Sequence, residues 1–316
     1  MLPLHHIPLP TPYPVGPVNV YLIPSAPFTL IDAGPDTAEA KEELQKALAG
    51  LGLELSDIKR IVITHSHLDH SGLAGWLQST VGAEVFLHPF ELQRILSPQN
   101  FFSERLAFLK QAGLPPAAVE RVIGMRDKLP AFDKKRAKAL DGGEELVFAD
   151  GTLRVYHFPG HAPGHLCLYD PRAGNFFSGD FLLPDITPNP LVEFDPYQPG
   201  KRLLTLKIYM DNLRNVEDLE ITKVWPGHGK AFSDYRKLIS HYRVHHENRL
   251  ANLWETLKAN GEMTVYQLTR LVYPGLEGFN VFLGLSEIQA HLDVLNDRGL
   301  VFEFLRDGVS YYRTKK

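Results

Sequence analysis

One cysteine in 316 residues is the first limit the sequence sets. A single thiol excludes an intrachain disulfide. Cys167, inside His165-Leu166-Cys167-Leu168-Tyr169, alternates as a buried strand residue does and reads as a small apolar filler. Positive charge is not in excess either. The chain carries 33 basic and 37 acidic residues, a net charge of −4, which argues against a generally basic surface for nucleic acid. No stretch is apolar enough to cross a bilayer. The opening residues Met1-Leu2-Pro3-Leu4-His5-His6 lack the basic and apolar regions of a secretory leader, so a cytoplasmic location is the default expectation. Hydrophobic residues at 44% and charged residues at 22% are ordinary for a globular protein of two domains.

Histidine, by contrast, is concentrated. Thr64-His65-Ser66-His67-Leu68-Asp69-His70 places three imidazoles and a carboxylate directly after the apolar run Ile61-Val62-Ile63, which reads as a short buried strand. His65 and His67, two apart in an extended chain, point to the same side. Imidazole and carboxylate form a ligand set suited to zinc and, less selectively, to iron or manganese. Three further segments repeat the design of a short apolar or β-branched run, then glycine or proline, then histidine or aspartate. They are Pro159-Gly160-His161-Ala162-Pro163-Gly164-His165, Ser178-Gly179-Asp180 and Pro226-Gly227-His228-Gly229. Glycine at such points lets the backbone turn sharply and approach an ion. All the candidate ligands therefore fall at strand ends, along one edge.

These motifs resemble, in order and over most of the chain, those of the metallo-β-lactamase superfamily, in particular its dinuclear hydrolase branch that includes glyoxalase II. The resemblance implies one metal held by His65, His67 and His161, a second held by Asp69, His70 and His228, and Asp180 as the bridge. It implies a supporting role for Asp32, in Leu30-Ile31-Asp32-Ala33-Gly34, and for His165. Two divalent ions, zinc foremost with iron or manganese as alternatives, would share a bridging hydroxide as nucleophile, with Asp69 and Asp180 as the catalytic carboxylates. Class B lactamases often use a cysteine ligand. Here Asp180 takes the bridging position, which counts against antibiotic hydrolysis.

The remaining histidines read as structural. His88 and His157 are expected to be satisfied within the fold. His5, His6, His241, His245, His246 and His291 lie outside every motif, and the pair His245-His246 is expected at the surface of a helix, metal binding there needing a third ligand that the sequence does not show. Alternating strands and helices predict an α/β fold, a metallo-β-lactamase-type αββα sandwich, for residues 1–240. Residues 89–143 break the rhythm and predict a helical insertion without strands. It would cap the metal edge, with Phe101, Phe102, Arg105, Arg121, Met125 and Arg126 available to shape a pocket.

Residues 241–316 predict a small winged-helix-like domain. Thr264 is placed to cap one helix, Ser286-Glu287-Ile288-Gln289 has capping-box spacing for the next, and Asp307-Gly308 marks a hairpin. Endoribonucleases of the same superfamily share this layout. Yet residues 261–316 hold seven acids and six bases, and the helix that would read a groove carries Glu287, Asp293 and Asp297 against Arg298. A packing or homodimerisation role is preferred to nucleic-acid binding.

The reading that follows is a dinuclear metal-dependent hydrolase of a small ester, thioester or lactone. The alternatives are a metal-dependent endoribonuclease or phosphodiesterase, and a non-enzymatic sensor or interaction protein, which the complete ligand set opposes.

Overall fold

The computed structural model describes residues 2–124, 133 and 136–315. Strands β1 (His5–Leu9), β2 (Val18–Ile23) and β3 (Thr29–Ile31) run antiparallel. Helix α1 (Ala38–Gly50) then crosses over to the parallel strand β4 (Arg60–Val62). Thr37 starts α1 by accepting a hydrogen bond from Ala40 N, and Leu44 and Leu48 form its buried stripe. The short helix α2 (Leu68–Ser71) and α3 (Ala74–Val81) lead to β5 (Glu84–Leu87). Helices α4 (Pro89–Leu96), α5 (Pro98–Gln111) and α6 (Pro116–Gly124) follow. The insertion is not strand-free as expected. β6 (Ala137–Ala139) pairs parallel with β5 and closes the first sheet, in the order β1-β2-β3-β4-β5-β6. Three residues of Ala-Lys-Ala carry too little apolar pattern to announce a strand; the open edge of β5 recruits them.

The second sheet is built from β7 (Glu145–Phe148), β8 (Gly151–His157), β9 (Leu166–Asp170) and β10 (Asn175–Gly179). After helix α7 (Thr205–Glu217) it adds β11 (Lys223–Pro226), giving the order β11-β10-β9-β8-β7. Alternation in β2 shows how the layers form. Tyr21 and Ile23 face the second sheet, joining Val155, Leu168 and Phe177, while Val20 and Leu22 face α1 and α3, joining Leu44 and Leu77. A strand buried on both faces loses the polar alternation of a surface strand. The outer face of the second sheet, with Cys167, Phe176 and Val224, packs on Leu206, Tyr209 and Leu213 of α7. The result is the expected αββα sandwich with a small sheet domain at the C-terminus.

That last portion comprises α8 (Tyr235–Asn260), β12 (Met263–Thr264), α9 (Val265–Val272), α10 (Phe279–Asp297), β13 (Val301–Arg306) and β14 (Val309–Thr314). Its strands form a separate sheet in the order β12-β14-β13. Thr264 caps α9 with the reciprocal Gln267 bond, and Asp307 and Gly308 both take positive φ at the hairpin turn.

One expectation fails here. Ser286 is not an N-cap: α10 begins at Phe279, and Ser286 is buried in its interior, because Phe279, Phe282 and Leu283 already supply an apolar face upstream. Nor is α10 a surface reading helix. Its residues 284–295 are buried, Asp293 is bound by Arg202 and Asp297 by Lys207. Both basic partners belong to the preceding sequence, so these acids fasten α10 to the body. One core cluster joins Tyr209 and Val224 to Leu285, Leu292 and Tyr312.

Candidate metal centre

The edge where β3, β4, β10 and β11 end gathers the histidine motifs. His65 leaves β4, His67 caps α2, and Asp69 and His70 lie on its single turn. His161 comes from the β8–β9 loop, Asp180 follows β10, and His228 follows β11. All seven predicted residues converge. His65, His67 and His161 offer donor atoms within 4.8 Å of one another, as do Asp69, His70 and His228, and as do His65, His70 and Asp180.

His65 Nε2 lies 2.8 Å from His67 Nδ1, which lies 3.1 Å from His161 Nε2. Ligand nitrogens on one tetrahedral zinc ion would stand about 3.3 Å apart for bonds of about 2.0–2.1 Å, so the rings already have coordination spacing. Asp180 stands between the two sets. Its Oδ1 is 3.3 Å from His70 Nε2 and 3.8 Å from His228 Nε2, while its Oδ2 is 3.6 Å from His161 Nε2. Asp69 Oδ2 is 3.3 Å from His228 Nε2. His70 Nε2, His228 Nε2 and Asp180 Oδ1 are buried and have no hydrogen-bond partner among the described residues. Buried orphans of that kind are costly, and divalent cations would satisfy all three.

The far ring nitrogens are spoken for. Asp32 Oδ2 accepts from His70 Nδ1 at 2.8 Å, and Asp32 also accepts from Thr64 N and from the Thr64 hydroxyl. The Thr64 oxygen in turn faces His65 Nδ1 at 3.1 Å. His228 Nδ1 donates to Pro17 O at 2.9 Å and His161 Nδ1 to Asn189 O at 3.3 Å. Each arrangement leaves a lone pair aimed at the centre. His165 is a support, as expected: its Nε2 accepts from Asp180 N at 3.1 Å. Asp32 itself sits at φ 60, a backbone region that aspartate tolerates better than most residues.

Burial and neighbouring charges together shift His65 and His70 in opposite directions. Burial, followed by the neighbouring imidazoles, pushes His65 well below the ordinary histidine range. Burial would also lower His70, but Asp180, Asp32 and Asp69 together hold it well above that range. Burial would raise the Asp180 carboxyl, yet His70, His228 and His161 draw it far below. Carboxylates and imidazoles thus share a buried volume in which each charge depends on the others.

Glu91, Asn19 and Tyr21 are positioning groups that gave no sequence motif. Glu91 of α4 accepts from Ser66 N at 3.0 Å, from the Ser66 hydroxyl, and from Gly164 N at 2.8 Å, tying the two ligand loops together. Asn19 of β2 donates from Nδ2 to Pro226 O and Gly229 O, and Tyr21 donates to Pro226 O, fixing the His228 loop. Gly227 has no room for a side chain: a Cβ there would stand 2.3 Å from Asp180 Oδ1 and 2.7 Å from His70 Cε1. His88 and His157 are satisfied, stacked at 3.9 Å, with His88 capping α4 and His157 donating to Pro163 O.

A cavity of about 290 Å³ opens onto the centre. Asp69, Asp180 and His228 form its polar end, and Phe101, Phe102, Arg94 and Arg105 of α4 and α5 form part of its wall, with Leu283 of α10. The insertion does reach the metal edge. Arg121 does not line the cavity; it is exposed and bonds its own helix at Ala117 O. Met125 and Arg126 lie outside the described residues.

Comparison with known proteins decides the family. The model for the metallo-beta-lactamase superfamily matches residues 13–228. The chain belongs to the metallo-beta-lactamase superfamily. It is 33% identical over 314 residues to a Bacillus subtilis protein named "Probable metallo-hydrolase YqjP", covering 98% of this chain and 97% of that one. It is 27% identical over 188 residues to acyl-coenzyme A thioesterase MBLAC2 of Gallus gallus, 57% of this chain and 61% of that one. A solved metallo-beta-lactamase family protein of Thermus thermophilus superposes with a TM-score of 0.84 at 31% identity, covering 99% of this chain and 98% of the other, C-terminal portion included. As a member of this metal-binding superfamily, the chain is a metal-dependent hydrolase.

Proposed function

We propose that this hydrolase cleaves thioesters of apolar acyl groups, with its nearest chemistry that of the glyoxalase II-like dinuclear branch. The observation that carries the reading is Asp180, which turns one carboxylate oxygen to each of two triads. His65, His67 and His161 would hold one divalent cation, Asp69, His70 and His228 the other, with zinc the first candidate. Two cations so held supply the Lewis acidity that makes water nucleophilic at neutral pH and polarises a carbonyl oxygen.

The chain's own residues supply the rest. Asp180 and Asp69 would neutralise the charges of such cations. Asp69, the more exposed of the two carboxylates at 14% against 9%, lines the cavity and is placed to take a proton from the attacking water. Phe101, Phe102, Leu183, Ile186, Leu191 and Leu283 offer an apolar wall for an acyl chain. Arg105 and Arg94 also stand in that wall, with Arg94 paired to Glu193 at 3.0 Å. The chemistry named for the Gallus gallus relative supports the thioester over a plain ester.

The test is a panel of acyl thioesters of increasing chain length, set against lactones and a single-stranded RNA. Rising kcat/KM with acyl length is expected. Cleavage of the RNA with no thioester turnover would replace this reading with a nuclease. Asp180→Ala should cut turnover by at least about a hundredfold, since it removes a charge that both triads face; a variant retaining the parent rate would overturn the bridge assignment.

A further inference from the structure

Away from the catalytic edge, the C-terminal portion buries a second group of imidazoles. His245 and His246 lie on α8, and Glu287 and His291 lie one turn apart on α10. The sequence expectation of a surface pair is wrong for His246, which is 1% exposed, because α10 packs directly over it. The missing third ligand is also present: His245, His246 and Glu287 offer donor atoms within 4.8 Å of one another.

Hydrogen bonds fix what His246 presents. Glu287 O, a carbonyl, can only accept, so His291 Nδ1 at 2.7 Å must carry the proton. In the neutral ring His291 Nε2 is then an acceptor, and His246 Nδ1, 3.1 Å away, must donate to it. His246 Nε2 is left as a bare lone pair. It is buried and has no hydrogen-bond partner among the described residues. Metal-binding imidazoles are oriented by a partner on the far ring nitrogen; here that partner is a second ring, itself set by a backbone carbonyl. The structure assigns this cluster as a metal site, separate from the catalytic centre, taking one divalent cation of the zinc type through His245, His246 and Glu287. His245 and Glu287 also line a cavity of about 410 Å³, together with Arg249, Tyr273 and Asn280. The Arg249 guanidinium opposes a bare cation there and favours one that carries an anionic fourth ligand.

The site would clamp α8 to α10. Asn189 lies between this cluster and the catalytic edge: its side chain donates to Leu283 O of α10 and its own carbonyl accepts from His161 Nδ1. Ile186, Thr187, Asn189 and Leu283 line both cavities and form the wall between them.

The experiment compares zinc content per chain of the unaltered 316-residue chain with that of His246→Ala and Glu287→Gln after equilibration in excess Zn²⁺ and desalting. Each variant should hold one ion fewer than the parent. The difference is read whatever number the catalytic centre binds, so failure of the dinuclear reading would not disturb it. Crystals of the unaltered protein, measured at the zinc edge, should show an anomalous peak between α8 and α10; this decides the matter even where a variant fails to fold. Equal zinc content in parent and variants, or no peak between these helices, would overturn the site.

Discussion

Asp32 touches the ring of His70 directly and that of His65 through the Thr64 hydroxyl. Asp32→Asn keeps a residue that accepts positive φ, so the backbone should survive. It should weaken cation binding at the Asp69, His70 and His228 set by about 10–100-fold. Competition with a chelator would measure this, and unchanged affinity would remove Asp32 from its positioning role. Glu91→Gln sets an amide against donors that now meet a carboxylate. A loss of stability of about 1–3 kcal/mol is expected by urea denaturation, with a fall in kcat because two ligand loops lose their tie. At this scale the candidate ligands were legible because a string of histidines at a strand end has few other uses. Asn19 left a faint trace, a polar residue within the otherwise apolar Val18–Ile23 strand. Glu91 left none, since acids are common in the first turn of any helix.

Helix α4 depends on His88, whose Nδ1 accepts from Phe90 N. Burial, then the stacked His157, pushes His88 down from 6.5 to about 4. The folded value lies below the unfolded one, so this contribution to stability is present above pH 6.5 and is lost as pH falls through 4. Protonation would also take the lone pair that caps the helix. His88→Asn retains a capping side chain without the titration. Its urea midpoint should fall less steeply than the parent's between pH 6.5 and 4; parallel curves would show that His88 does not govern acid sensitivity. Most elements could be placed from periodicity and glycine. β6 could not, because pairing with β5 rather than its own residues makes it a strand. The start of α10 was misjudged because a local capping pattern at Ser286 competed with a longer apolar face, and burial decided between them.

The body and the C-terminal portion share one apolar core, and α8 runs unbroken through residues 235–260 from one to the other. Phe282 sits in that core, 1% exposed, 6.4 Å from Phe108 of α5. Phe282→Ala should cost about 3–5 kcal/mol and lower stability of the whole chain. Far- and near-ultraviolet circular dichroism should report one coincident thermal transition in both proteins; two separated transitions would mean that the parts melt independently. The sequence showed two patterns, sandwich and tail, and suggested a boundary between them. It could not show that α10 turns its acids to Arg202 and Lys207, since such pairing depends on residues some ninety positions apart.

Gly227 carries no reactive group, yet its hydrogen stands where any carbon would strike Asp180 and His70. In a library sampling all twenty amino acids at that codon, selection for turnover should return the parent residue alone, while selection for soluble expression should return others. Adaptation toward new substrates would accordingly be drawn from the walls contributed by α4, α5 and α10, and the floor of the reaction chamber would stay unchanged through that history.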